Sequence, residues 1–294
     1  MSYALATPAV QPVPAPHQFS QGETGSLLSN IKIPPQPEIV RALIAERARD
    51  EPDLQRIVQL ISHDVGLAAA VLKAINSPYY GMRGRITSVQ HAVALLGLKN
   101  VGSLVMGLAL RTNVKVEGIE RYWESASRSA ELAGMIARKR ALAVEDAHLY
   151  TLFHDSGIPV LLQYSPGYRQ TMQEMSASDW MDITAMEDQR HQTNHAVVGG
   201  LLARNWGLPD HISTAISLHH DITVFDSESL PNQVLNLIAV GHVAENIEAM
   251  LARQENDCQC EIFGLACTRH LMIGQDDLQE IIDAAMDLFD MVEY

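Results

Sequence analysis

The sequence predicts an all-α protein, a multi-helix bundle in two packed halves. Three observations carry that reading. Apolar residues recur three and four positions apart in one window after another, the spacing that lines one face of a helix. Those windows are punctuated by helix starts and stops: Asp53, then Asn76-Ser77-Pro78, then Gly97, then Gly207 with Pro209. No stretch alternates apolar and polar residues, with β-branched side chains, over the length of a strand.

In chain order, residues 1–25 form a Pro- and Gln-rich tail, "TPAVQPVPAPHQFSQGETGS" being its main stretch, with almost nothing to bury. Such a composition predicts disorder. The folded part is placed at 26–294. "LQRIVQLISHD" puts Ile57, Leu60 and Ile61 on one face with Asp53 as cap. "VGLAAAVLKAINSPYYG" repeats Ala68, Val71, Leu72 and Ile75, then stops at Asn76–Pro78. "ITSVQHAVALLG" offers Thr87 and Gln90 as a capping box and Gly97 as the stop. The pattern loses its period over residues 111–120, which divides a first half, 26–113, from a second, 114–294. The second half predicts a long helix from Trp123 to about Arg140, and a shorter one from Ala147 to Asp155. Further helices run from His195 to Trp206 and, capped by Asp210, to His219-His220. Two more cover about Val234–Arg253 and Asp276–Phe289. "LLQYSPGYRQ" reads as a turn after a helix, because of its Pro-Gly.

Composition bounds the function. The 294 residues are 47% apolar, enough for a sizeable core. A net charge of −14 and a pI near 5.2 argue against nucleic acid or anionic lipid as partner. Three cysteines do not make a disulfide framework and fit a reducing compartment. No apolar run reaches the roughly 18 residues of a membrane helix, and no signal peptide is evident. The expectation is a cytoplasmic protein with no membrane and no nucleic-acid role. Trp123 and Trp206 are expected to bury their rings at helix junctions, and the twelve methionines to fill the core rather than form a groove.

The histidines are the chemically informative residues. His195 shares a helix face with Val198, Gly199 and Leu202. His219 follows Ile212, Ala215 and Ile216 at helical spacing, and His242 and Glu245 lie on the face of Ile238. These groups therefore look inward, where imidazoles and carboxylates need partners. One partner is a metal: imidazole and carboxylate together suit Fe, Mn, Zn or Ni, and ligands on several helices converge in a bundle core. The other is the protein itself, since such groups also bond helix ends and each other. A separate set, Cys258, Cys260, Cys267 and His270, holds four zinc-type donors in a short span, though not at a standard spacing.

Several stretches then carry a resemblance. They are "SHDVGLAAAVLKAINSPYYG", "ITSVQHAVALLGLKNV", "YWESASRSAELA", "LFHDSGIPVLL" and "NHAVVGGLLARNWGLPDHISTAISLHH". In order and spacing, over about residues 27–250, the chain resembles the HDOD family, the non-catalytic signalling relatives of HD and HD-GYP metal-dependent phosphohydrolases. The resemblance implies a site at His154, Asp155, His195, His219, His220 and Glu245, these being the positions that would hold a divalent metal. It also marks departures from the catalytic pattern. Ser125 stands near the early His position, Ile158 stands where HD-GYP enzymes carry a Lys, and "DITVFDSESLP" replaces the Gly-Tyr-Pro loop. Glu245 takes the place of the final Asp.

Hydrolysis of a phosphodiester needs charge stabilisation on the phosphoryl group, and a two-metal site needs ligands for both ions. The expectation is therefore no catalytic residue and no required cofactor. The implied role is non-enzymatic bacterial signal transduction through protein–protein or ligand-triggered interactions: the partner is a response regulator, a kinase or a cyclic-di-GMP enzyme, or the trigger is a ligand held between the halves. A divergent phosphohydrolase, or a metal or nucleotide sensor without turnover, is the alternative.

Overall fold

The computed structural model describes residues 33–77, 80, 84–176, 183–227, 229–252 and 258–290, with the side chains at 99, 176, 258–263 and 290 left aside. The Pro- and Gln-rich tail lies outside the described residues. Among them, every regular element is helical, and no strand occurs.

The first half holds α1 (Glu38–Arg47), α2 (Leu54–His63), α3 (Val65–Ile75) and α4 (Val89–Asn113). Asp53 caps α2 as expected, its side chain accepting from the Arg56 amide at 3.0 Å. Buried Glu46 ties α1 to α2 by accepting from Arg56 Nη1 at 3.0 Å and from the Asp53 amide at 2.9 Å. The cap of α4 is Ser88, not Thr87: the Ser88 hydroxyl accepts from the His91 amide at 3.2 Å. Gly97 does break the helix, with φ 73°, but the chain re-enters helix at once, so α4 is two arms joined at a kink.

The second half holds α5 (Glu120–Lys139), α6 (Val144–Phe153), α7 (Gly157–Tyr164), α8 (Tyr168–Ser176), α9 (Ile183–His191), α10 (His195–Asn205) and α11 (Asp210–Leu218). A 3-10 turn (Ile222–Asp226) and α12 (Asn232–Leu251), α13 (Cys258–His270) and α14 (Gln275–Asp290) complete it. Asp210 is not the cap of α11. It is the first helical residue, after Pro209, where its charge complements the helix N-terminus. The turn at Ser165–Gly167 is present, with Gly167 at φ 79°.

Two apolar clusters make the core. One gathers Leu43, Ile57, Ile61, Val71, Ile75 and Val93 from α1–α4; the other gathers Leu132, Ile136, Phe153, Ile216 and Ile238 from the second half. The second arm of α4 is the seam. It gives Val101, Leu104 and Val105 to the first cluster, and Met106, Ala109 and Leu110 to the second. Burying each such side chain stabilises the fold by about 1.5–3 kcal/mol relative to exposure. Trp206 and Trp123 are buried as expected. The methionines divide: Met106 and Met186 fill the core, while Met250, Met272 and Met286 are exposed.

One helix departs from the expectation on apolar runs. By length and composition α12 could cross a membrane, yet 61% of that stretch is buried inside the protein. Its apolar length serves the centre of the second cluster, flanked by α5, α11 and α13.

Candidate functional site

The site forms where α6, α10, α11 and α12 meet. His154 and Asp155 follow the last residue of α6, and Gly157 then opens α7. Gly157 is required by packing. A Cβ there would lie 2.0 Å from the His195 carbonyl oxygen, so only glycine lets the start of α7 press against the start of α10. Gly199, one turn into α10, is close-packed but less strictly required: a Cβ there would lie 3.1 Å from Ile216 Cγ2 and 3.3 Å from the His154 carbonyl oxygen.

Asp155 is the hub. Its Oδ1 lies 3.4 Å from His195 Nε2 and 3.3 Å from His219 Nε2, and its Oδ2 lies 3.4 Å from His154 Nε2. The three rings are turned this way by their other nitrogens. His154 Nδ1 donates to the Thr151 carbonyl at 2.7 Å, and His219 Nδ1 to the Ile216 carbonyl at 2.7 Å. His195 Nδ1 donates to Glu187 Oε2 at 2.7 Å. His195 Nε2 meets His220 Nε2 at 2.8 Å, and Glu245 Oε1 meets His154 Nε2 at 2.5 Å. His242 donates from Nε2 to the His219 carbonyl at 2.6 Å. Thus all six residues singled out in the sequence come together.

Burial and charge set the protonation. His154, His195 and His219 are 3%, 2% and 1% exposed. For His154, burial opposes the charged ring, but Asp155 and Glu245 outweigh it and hold its pKa well above the ordinary value. His195 behaves likewise: burial is overcome by Glu187 and Asp155, and its pKa is pushed up to about 10. Burial lowers His219, and lowers His220 well below the usual range, with neighbouring imidazoles adding to the effect. Burial alone would raise Asp155, but the His154 charge and the three imidazoles hold it well below the carboxylate range. Glu245 is lowered for similar reasons, through His154.

The donor set fits a divalent metal. The ligand atoms of Asp155, His195, His219 and His220 all lie within 4.8 Å of one another, as do those of His154, Asp155 and Glu245, with Asp155 common to both groups. His219 Nε2 is buried, and Asp155 Oδ1 approaches it to 3.3 Å without completing a well-formed hydrogen bond. Such an incompletely bonded group is costly unless something fills the space before it. The His154, His195 and His219 rings are also oriented from behind by a carbonyl or carboxylate, the usual support for a ligating imidazole.

Other expectations resolve differently. Ser125 does not join the cluster; its hydroxyl donates to Glu248 Oε2 at 2.9 Å. One turn earlier, the Tyr122 hydroxyl is buried without a partner, and burial followed by the charges of Asp155 and Glu245 raises its pKa. Among the described residues, neither Asp155 nor Glu245 pairs with a Lys or Arg, in keeping with Ile158 at the lysine position. In the cysteine set, burial and then Glu245 push the Cys267 thiol up to about 12, so it is a poor source of the thiolate that metals bind. His270 Nε2 pairs with Asn236 Oδ1 at 2.9 Å. The Cys258 and Cys260 side chains lie outside the described residues.

Sequence reasoning missed Tyr122, Tyr168 and Glu187. Glu187 sits in "ITAMEDQRH", a short polar-looking helix with no apolar stripe, so nothing local marks its carboxylate as buried.

Comparison with known proteins bears on the family and the fold. A model of the HDOD domain matches residues 33–222. An uncharacterised protein of Treponema pallidum (strain Nichols) is 27% identical over 220 residues, 72% of this chain but only 43% of that protein. A Shewanella amazonensis SB2B crystal structure, provisionally named a phosphohydrolase, superposes with a TM-score of 0.71 at 21% identity, covering 90% of this chain and 94% of that one. A Marinobacter aquaeolei VT8 structure, provisionally named a signal transduction protein, gives 0.66 at 25% identity, covering 93% of this chain and 61% of that one.

Proposed function

The chain belongs to the HDOD family, and on that premise we propose that it is a non-enzymatic cytoplasmic signalling protein acting through a protein partner. A response regulator, a kinase or a cyclic-di-GMP enzyme is the class of partner that fits. One observation carries the reading. The polar groups of the site are turned on each other, Glu245 on His154 and His195 on His220, and among the described residues no Lys or Arg pairs with its carboxylates. Phosphoryl transfer requires positive charge poised on the transferring group, and the two imidazoles whose charge is favoured here, His154 and His195, are already engaged by Glu245 and Glu187. Its output would be a shift in helix packing that alters a binding surface, driven by whatever binds one arrangement better.

A second reading is favoured by Asp155, which is shared between two donor groups, and by the incompletely bonded His219 Nε2. His195, His219, His220 and Asp155 would hold one divalent ion, and His154 and Glu245 would complete the site. The ion, when bound, would acidify a water. The protein's own part would be to hold the rings in place and to release the protons on His154 and His195 as the ion enters.

The test is elemental analysis of untagged protein and of His154→Ala, with turnover of cyclic-di-GMP and of a simple phosphodiester measured on both. Absent or stoichiometric metal without turnover supports signalling, as structural cluster or as sensor respectively. Metal-dependent turnover that disappears in His154→Ala overturns the non-enzymatic assignment.

A further inference from the structure

We propose that Glu187 is a positioning residue for the cluster: backed by Tyr168, it turns the His195 ring so that Nδ1 is held by a carboxylate and Nε2 faces Asp155, His219 and His220. The inference rests on reading the cluster as the working site of the protein.

The reason lies in where the three inner histidines sit on their helices. His154 and His219 follow the ends of α6 and α11. Each finds a carbonyl three residues back, Thr151 and Ile216, to accept its Nδ1 proton. His195 is the first residue of α10. Three residues before it stands Gln192, outside any helix with φ 58°, so no helical carbonyl lies behind the ring. Its Nδ1 acceptor must come from another element, and α9 supplies it.

The acceptor is built for this. Glu187 is 0% exposed, and its two oxygens take three donors. Oε1 accepts from the Tyr168 hydroxyl, and Oε2 from the His195 amide at 3.0 Å and from His195 Nδ1 at 2.7 Å. A buried carboxylate without a Lys or Arg partner needs that many bonds to be tolerated. Capping of α10 accounts for only part of this bonding: Oε2 takes the His195 amide, the Asn194 side chain takes the Val197 amide at 2.9 Å, and the bond to the ring Nδ1 is left over. Asn194 also donates to Asp188 Oδ1 at 3.0 Å, a second tie between α9 and the start of α10. The α8–α9 pair is steadied in turn by His191, which meets Ser165 Oγ and Thr171 Oγ1 at 2.9 Å each. Hence the orientation of one cluster histidine is set by the α8–α9 pair, unlike that of its two neighbours.

The experiment uses full-length protein labelled with 15N-histidine, and reads the ring protonation of His195 from long-range 15N–1H correlations. In the wild type, His195 Nδ1 is expected to carry a proton; a ring protonated only at Nε2 overturns the proposal without any variant. Glu187→Met, similar in size but with no acceptor, is expected to move His195 away from the Nδ1-protonated form. Glu187→Gln is expected to restore that form through its amide oxygen. A role confined to packing or capping leaves His195 unchanged in Glu187→Met, and that result also overturns the proposal. With Mn2+ as the probe, Glu187→Met is expected to weaken binding about 10–100-fold and Glu187→Gln much less. The ring spectra need no metal. A wild type that ignores Mn2+ therefore counts against the metal reading alone, while an unmoved His195 counts against Glu187 alone.

Discussion

The Trp206 indole donates from Nε1 to the Pro34 carbonyl at 2.9 Å, across 172 residues of sequence. Gln36 returns the contact, donating from Nε2 to the Trp206 carbonyl at 2.7 Å. Trp206 is the C-cap of α10, the helix whose first residue is His195. One rigid helix, about 16 Å long at 1.5 Å per residue, thus joins the segment before α1 to the histidine cluster. Trp206→Phe keeps most of the buried ring and loses the donor. Chemical unfolding is expected to show a loss of about 1 kcal/mol, while Trp206→Ala, which also opens a cavity, should lose about 3–5 kcal/mol. A Trp206→Phe variant as stable as the wild type would mean that the hydrogen bond to Pro34 is worth nothing.

Two glycines test the close approach of helices around the cluster. A Cβ on Gly157 meets the His195 backbone at 2.0 Å, and backbone cannot step aside. A Cβ on Gly200 meets Ser217 Oγ at 1.9 Å, the tip of a side chain that can rotate away. Gly157→Ala is therefore expected to cost about 3 kcal/mol or more, and Gly200→Ala about 1 kcal/mol. Thermal unfolding of both variants checks the order; the reverse order would contradict the packing described for α7 and α10.

Asp155 gives a pH prediction. Burial disfavours charge on His195, but Glu187 and Asp155 raise its pKa from 6.5 to about 10. A raised histidine binds its proton more tightly in the folded state. Its contribution is complete below pH 6.5 and is lost as pH rises through about 10. Asp155→Asn removes part of the cause, so the alkaline loss of stability should begin at lower pH and be smaller in total. Unfolding free energies measured from pH 6 to 10 decide it, and superimposable profiles would remove Asp155 from the account.

Glu131 on α5 gives a second, away from the cluster. Burial raises its carboxyl from 4.5 to about 7, against a smaller opposing pull from Arg128. The folded state therefore favours the protonated acid. Stability from this group is present below pH 4.5 and is lost as pH rises through about 7. Glu131→Gln removes the titration, so its advantage over wild type should grow between pH 4.5 and 7 and then level off. Urea midpoints at a series of pH values test this, a constant difference being the contrary result.

Much of this was legible in the chain. The longer helices show an apolar face at helical spacing, and Asp53, Gly97 and Gly207 punctuate them, because caps and stops act within a few residues. Local signals were also where small errors arose: Ser88 rather than Thr87 caps α4, since neighbouring hydroxyls compete for the same amides. The helices α1, α7, α8, α9 and α13, and the second arm of α4, were not placed. They are held by what they touch more than by a pattern of their own.

By itself, the sequence determined the helical class and the family, and with them the six residues that meet at the site. Periodicity, caps and motif spacing are properties of contiguous residues. Only the tertiary structure decided how those six are wired: that Asp155 faces three rings, that Glu245 reaches His154 across 91 positions, and that Glu187 stands behind His195. Such contacts depend on how whole helices pack, and no local stretch of sequence records which buried donor a carboxylate will find.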